Sequence, residues 1–417
     1  MTTLKPKYFQ RQNISLLFRF KSDIRIFIVI PVFADTLIFD VLRSLSEAYL
    51  TSSDQEKKQI GIIIVLNHPE FTTSLEKEVN ESIFNRLQNN NYPFPIYTIF
   101  KKDVPDKIAG VGYARKIGMD QAALFFHETN NLQGIIVSLD ADTTVSRNYF
   151  SEIIRFFHLY KNAVGANIFF EHPLAGQEFS ENIYDAITKY ELHLRYFIEA
   201  LRYINFPYAY HTIGSAFAVR AKNYIAAQGI STRQGGEDFY FLNKLFYQGP
   251  FGEINTTCVF PLPRPNNKTP FGTGIAIQKI LDSSRNEFLT YNLDAFLCIK
   301  ELFGKIDLIR ENDISFFEKK IISAELYEFL KHRNFSDNIK KIKQNSPSFA
   351  VFKKSFFRWF DMFTIVKFLN ETARKGIFPK KIILLEANHL ISGNMQAKQL
   401  LLHYRHIQKK ESAFVSL

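Results

Sequence analysis

Cysteine is scarce: Cys258 and Cys298 are the only two in 417 residues, and they form neither a CxxC nor any paired framework. A disulfide scaffold is therefore excluded. No charged-then-apolar leader with a small-residue cleavage site stands near Met1, so the expected compartment is the reducing cytoplasm. Long apolar runs are missing too. The stretch IFIVIPVF, from Ile26 to Phe33, falls far short of the roughly 18 to 20 residues that cross a bilayer, which excludes integral insertion and leaves peripheral contact at the inner face of a membrane open. There is no internal repeat or low-complexity tract. GxxxxGK[ST] is absent, which excludes an ATP-binding P-loop, and without zinc-finger spacing or an RNA-binding motif no nucleic-acid partner is expected.

What the chain does have is 46% hydrophobic residues with 43 Phe, ample for a packed core plus a smaller domain. Its net charge of +11 is unevenly placed. From Lys300 to Leu417 there are 22 Lys and Arg against 12 Asp and Glu, so the basic character belongs to the C-terminal third. Such a surface suits anionic lipid headgroups, phosphorylated acceptors or nucleic acid, although a solvated, basic helical face with no ligand is the commoner explanation.

Apolar runs rich in Ile and Val recur at Ile24 to Pro31, Ile60 to Leu66, Ile96 to Phe100, Gly134 to Leu139 and Ala163 to Phe170. Their continuity predicts burial on both faces. Segments with helical spacing lie between them, including TLIFDVLRSLSEAYL and GYARKIGMDQAALFFHE, which predicts an α/β fold with a mostly parallel sheet flanked by helices. EFSENIYDAITKYELHLRYFIEALRYINFPYAYH reads as an aromatic-rich amphipathic helix ending near Pro207, and HTIGSAFAVRAKNYIAA as a loop, a short strand and a helix. Past the Pro- and Gly-rich stretch PLPRPNNKTPFGTG the pattern turns helical, as in SFFEKKIISAELYEFLKHR and KKSFFRWFDMFTIVKFLNETARK. The expected organisation is an N-terminal extension over 1–20, a catalytic domain over 21–280 and a basic, mainly helical C-terminal domain over 281–417.

GIIVSLDADTTVS ends a predicted strand with Asp140 and Asp142 at i and i+2, spacing that sends both carboxylates from one face of an extended segment. Two oxygen ligands there suit a hard divalent cation on a diphosphate, while Asp142 or Thr144 capping the next helix is the plainer alternative. PVFADT closes the first strand with Pro31 and puts Asp35 in the following turn, as a hydrogen-bond acceptor for a base or ribose or as a helix cap. Asn67, followed by His68, Pro69 and Glu70, ends the second strand. Gly110 and Gly112, with Lys107, Arg115 and Lys116 nearby, precede a helix and suit phosphate oxygens. GGEDFYFLNKL offers Glu237 and Asp238 after a glycine hinge: one to accept a proton from an attacking hydroxyl, the other to orient it. Arg264 and Lys268 before Thr273, at a predicted helix start, form a candidate phosphate or carboxylate site, and His211 is a candidate metal or acceptor contact, though a lone His among aromatics is more often packed.

In this order the pieces PVFADT, LNHPE, GYARKIGMDQA, DAD and GED resemble the family 2-like glycosyltransferases of the GT-A fold, over roughly Ile24 to Gly274. The resemblance implies that Pro31, Asp35 and Asn67 lie on the donor side, Arg115 at its phosphates, Asp140 and Asp142 at the ribose and a Mg²⁺ or Mn²⁺ ion, and that Asp238 is the base of an inverting transfer. LNHPE replaces the DDGS turn of many members. QxxRW is absent after GED, so a single addition is expected rather than polymer synthesis. The expected partners are a nucleotide-sugar donor and a hydroxyl-bearing acceptor: a saccharide, a lipid-linked molecule, or a small phosphorylated or carboxylated one. The alternatives are a non-catalytic nucleotide-sugar-binding or membrane-surface scaffold, and a nucleotidyltransferase.

Overall fold

The computed structural model describes residues 6–266, 272–283, 287–312 and 322–410. Eight strands form one sheet: β1 (Ile26–Val32), β2 (Ile60–Pro69), β3 (Ile96–Val104), β4 (Ile135–Ser138), β5 (Thr143–Val145), β6 (Gly165–Phe170), β7 (Phe217–Arg220) and β8 (Phe251–Pro261). Their order is β3-β2-β1-β4-β7-β6-β8-β5. All pairings are parallel except those made by β7 and β5, which run against their neighbours. The architecture is thus the expected α/β class, a mostly parallel sheet flanked by helices with a helical C-terminal region.

Every residue of β1 is buried, and Ile26 to Val32 lie in register with Ile60 to Leu66 of β2, which accounts for the unbroken apolar runs. Helix Val111–Glu128 packs across these two strands. It comes close because Gly118 has no side chain: a Cβ there would meet Val29 Cγ1 at 2.4 Å and Val65 Cγ2 at 3.1 Å. Segment 6–20 is knitted to the same helix, with Tyr8 Oη donating to Asp120 (2.6 Å) and the Gln121 amide bonding both Leu17 N and Ser15 O (2.8 Å each).

The strand order reverses between β1 and β4, because β2 and β3 follow on one side of β1 and β4 on the other. Such a reversal opens a crevice at the strands' carboxyl ends, where α/β sheets bind ligands. Here β4 leaves the ladder at Ser138, opposite Val29, while β1 runs on through Pro31 to Val32. Pro31 has no N–H to lose where its neighbour departs.

The described chain clusters into two compact units. The first draws on residues up to Tyr184, Thr212–Gln278 and the return at Gln408; the second combines Asp185–His211 with Lys279–Ile407. Asp185–His211 precedes the expected boundary at 281, yet its helix, Glu181–Tyr203, packs Tyr196 and Phe197 on Phe296. Its buried Glu191 receives Arg195 Nε (2.8 Å) and both Arg405 Nε (2.8 Å) and Nη2 (2.6 Å). Burial of a charge is tolerated only with such pairing, so helix 185–203 is bound to the C-terminal helix by electrostatics as well as packing. The run over 353–375 is two helices, Phe349–Trp359 and Met362–Arg374, because Asp361 caps the second through Thr364 N (2.8 Å). The first seven residues of SFFEKKIISAELYEFLKHR, 315–321, lie outside the described residues. No described helix is long and apolar enough to cross a membrane.

Gly118→Ala should force the 111–128 helix off β1 and β2 and lower unfolding stability by about 1 to 3 kcal/mol, read as a lowered denaturation midpoint at unchanged m-value.

Candidate active site

Arg115 is the hub of the acidic cluster. Its guanidinium is 2% exposed on the first turns of helix Val111–Glu128, donates Nη2 to Asp140 Oδ1 at 2.5 Å, and donates Nη1 to Glu237 Oε1. The helix starts where it does because Gly110, at φ +134°, turns the chain and its carbonyl accepts from Asn67 Nδ2 (3.3 Å). Gly112 then lets the 231–233 loop approach: a Cβ there would meet Arg233 O at 2.4 Å and Glu237 Cγ at 3.3 Å. The two chain segments are held face to face.

Gly214 supplies the third close approach, since a Cβ on it would lie 3.0 Å from both Arg115 Nη2 and Asp238 Oδ2. Asp238 therefore sits beside the guanidinium without a direct ion pair, and its Oδ1 accepts from Phe239 N (2.7 Å). Burial, then the neighbouring Glu237 charge, pushes the Asp238 carboxyl up to about 7, against the pull of Arg115. Burial alone would lower the proton affinity of Arg115, but Asp140, Glu237 and Asp238 together raise it, so it stays a cation.

A second guanidinium spans the crevice. Arg264, just past β8, donates Nη2 to Asp35 Oδ2 and to Asp142 Oδ2 (2.8 Å), joining the end of β1 to the turn after β4. Asp35 also accepts from Leu37 N (3.2 Å), a turn bond at the start of the next helix. Asp140 and Asp142 do not occupy a strand as their i, i+2 spacing suggested; β4 ends at Ser138, and Thr143 N bonds Asp140 O (3.2 Å) to make a turn. That turn sends Asp140 to Arg115 and Asp142 to Arg264. Burial and the nearby Asp140 charge raise the Asp142 carboxyl, with Arg264 opposing.

Helix Thr273–Leu281 begins against the Arg264 backbone, for a Cβ on Gly274 would lie 3.0 Å from Arg264 O, which places Thr273 close by. Lys268 lies outside the described residues. Lys116 is spent on Asp120 (2.7 Å), Lys107 is exposed, and half-buried His211 falls in the second unit. Nothing local in RPNNK signals that Arg264 bridges Asp35 and Asp142, 229 and 122 residues away, and nothing in HTIGS signals the approach of Gly214 to Arg115.

Among the described residues no three His, Cys, Asp or Glu side chains stand together as a closed metal site. The oxygen chemistry nevertheless fits a hard cation. Among the described residues Asp35, Asp140, Asp142 and Glu237 pair with just two cations, Arg115 and Arg264, so four carboxylates meet two guanidinium groups and the excess negative charge suits a further cation. Mg²⁺ is commonly held by one or two carboxylates completed by phosphate oxygens, which needs no third protein ligand.

No protein-family model and no curated protein matches the chain. Among solved structures it is similar to S. aureus TarS at 11% identity and a TM-score of 0.35, covering 68% of this chain and 43% of that one. This chain thus spans less than half of that TarS chain. A shorter TarS structure, residues 1–349, aligns at 12% identity and a TM-score of 0.38, over 85% of this chain and 92% of its own. Likeness that slight is no guide to function, which has to come from the site's own residues.

Because the raised carboxyl of Asp238 keeps its proton in the folded chain up to about pH 7, while an unfolded Asp loses it near 4, native stability falls as pH rises between those values. Asp238→Asn should therefore stabilise the fold above pH 7, on the order of 1 to 2 kcal/mol after solvent screening, with the gain vanishing near pH 4. Thermal melts of both proteins across pH measure it.

Proposed function

We propose that this chain is a GT-A glycosyltransferase that moves a sugar, of hexose type, from a nucleotide-diphosphate donor to an acceptor hydroxyl, one addition at a time. The observation that carries the reading is the convergence of Asp35, Asp140, Asp142, Arg115, Arg264 and Asp238 at the β1/β4 crevice. The donor's nucleoside would lie along the Asp35 and Asn67 edge. Its diphosphate would meet Arg264, whose guanidinium presents a fork that suits phosphate oxygens.

Asp238 is the group suited to take the acceptor's proton. A carboxyl poised near 7 has more driving force for proton transfer than an ordinary one at about 4, and the absence of a side chain on Gly214 keeps a Cβ from crowding its Oδ2. As the acceptor oxygen bonds to the anomeric carbon from the face opposite the diphosphate, the bond from that carbon to the diphosphate oxygen breaks, the proton passes to Asp238 and the nucleoside diphosphate leaves, which inverts the anomeric centre. Glu237 is committed to Arg115 and serves to fix it. A Mg²⁺ or Mn²⁺ ion held by Asp142 with Asp140 would neutralise charge on the departing diphosphate. Positioning and charge stabilisation supply most of the acceleration.

Thermal unfolding with UDP-, GDP- and dTDP-sugars, with and without Mn²⁺, should reveal a nucleotide that stabilises the protein more when the ion is present. Asp142→Ala should remove that metal-dependent gain and the transfer. Asp238→Asn should keep donor protection while turnover drops about 10²- to 10⁴-fold. Release of a nucleoside diphosphate supports the reading; pyrophosphate release would favour a nucleotidyltransferase, and binding without turnover a scaffold.

The proton acceptor also sets a pH profile. With Asp238 needed as the base, kcat/KM should fall tenfold per unit below about pH 7 and level off above it, and a profile that is flat down to pH 5 would remove Asp238 from the role.

A further inference from the structure

The second unit concentrates its charge in a helical hairpin. Helices Phe335–Gln344 and Phe349–Trp359 pack on each other and bury Phe335, Ile339, Phe352 and Phe356, while Lys343 is half-buried and donates to Asn312 O. Lys340, Lys341 and Lys354 are exposed, and Asp337 is the only acid between Lys331 and Arg358. Helix Ile306–Glu311, packed against the second of the pair, adds Asp307 and Glu311 but also Arg310, so the cluster stays net basic.

The joint between the two helices, residues 345–348, is polar apart from Pro347, but the helical turn that follows it turns apolar side chains to water. Pro347, Phe349, Ala350 and Val351 are all exposed there, Phe349 at 36% and Val351 at 39%. At 1.5 Å of rise per residue, Lys340, Lys341 and Lys354 lie within about 10 Å of it along their helices. Apolar side chains at a tip ringed by lysines form a two-part signal: the tip enters the headgroup boundary while the ammonium groups meet lipid phosphates.

We infer that the hairpin over 335–359 docks this chain on an anionic lipid surface. Both parts of the signal argue for lipid over nucleic acid, whose phosphates would use the lysines but leave the apolar turn in water. The inference stands independently of sugar transfer, since every residue in it belongs to the second unit and none to the crevice.

Flotation of the full chain with phosphatidylcholine vesicles, and with vesicles about a third phosphatidylglycerol, tests it. Binding is expected only to the anionic vesicles and should weaken as salt shortens the screening length. Replacing Lys340→Gln, Lys341→Gln and Lys354→Gln together should weaken it on the order of a hundredfold, about fivefold per charge. Phe349→Ser should weaken the salt-resistant remainder, and melting curves of both variants matching the parent establish that they are folded. The inference is overturned by absence of binding to anionic vesicles at low salt, by equal binding to neutral ones, by variants that bind like the parent, or by a preference for duplex DNA or RNA that the lysine replacements abolish.

Discussion

Burial of one guanidinium holds the crevice together. Arg115 is almost wholly removed from water, and leaving such a cation unpaired would cost several kcal/mol, so Asp140 and Glu237 are drawn from distant parts of the chain to neutralise it. Everything near it follows from that demand. The turn after β4 is pinned by Asp140, the start of helix Glu237–Phe246 is pinned by Glu237, and Asp238 is carried along into a place already crowded with negative charge. Its raised proton affinity is a by-product of satisfying Arg115.

Arg264 meets a different demand at the other side of the same turn. It is more exposed than Arg115, with 37% of its side chain accessible, and it bridges two carboxylates that would otherwise repel each other across the gap between β1 and β4. A half-exposed arginine can exchange carboxylate for phosphate partners at little cost, whereas the buried one cannot. Within the crevice, then, one cation is framework and the other is adaptable.

All five Ile- and Val-rich runs became strands; those of β1, β2, β4 and β6 were legible because burial on both faces leaves no polar alternation, whereas β3, at the sheet edge, is mostly half-buried and does not meet the two-sided burial its run predicts. The two strands that escaped lack that signature. β5 is three residues long, and β8 mixes Glu253, Asn255 and two threonines into its run. The acids at the sheet edge were visible as motifs, but their partners were not: the strand end at Ser138 is set by tertiary pairing with Val29 and Phe217, so a two-residue spacing read as extended became a turn. Likewise Asp185–His211 reads as part of the preceding domain by order alone, and only its contacts with Phe296 and Arg405 reveal where it packs.

The span of the Arg264 bridge carries a kinetic consequence. It joins positions 229 and 122 residues apart in sequence, one at the first strand and one beside the fourth, and is anchored after the eighth. Contacts of such separation form late, after the loop-closure entropy has been met. A chain arrested before β8 would thus leave Asp35 and Asp142 as bare, mutually repelling carboxylates, so the closing of this edge of the sheet waits on the last of its strands.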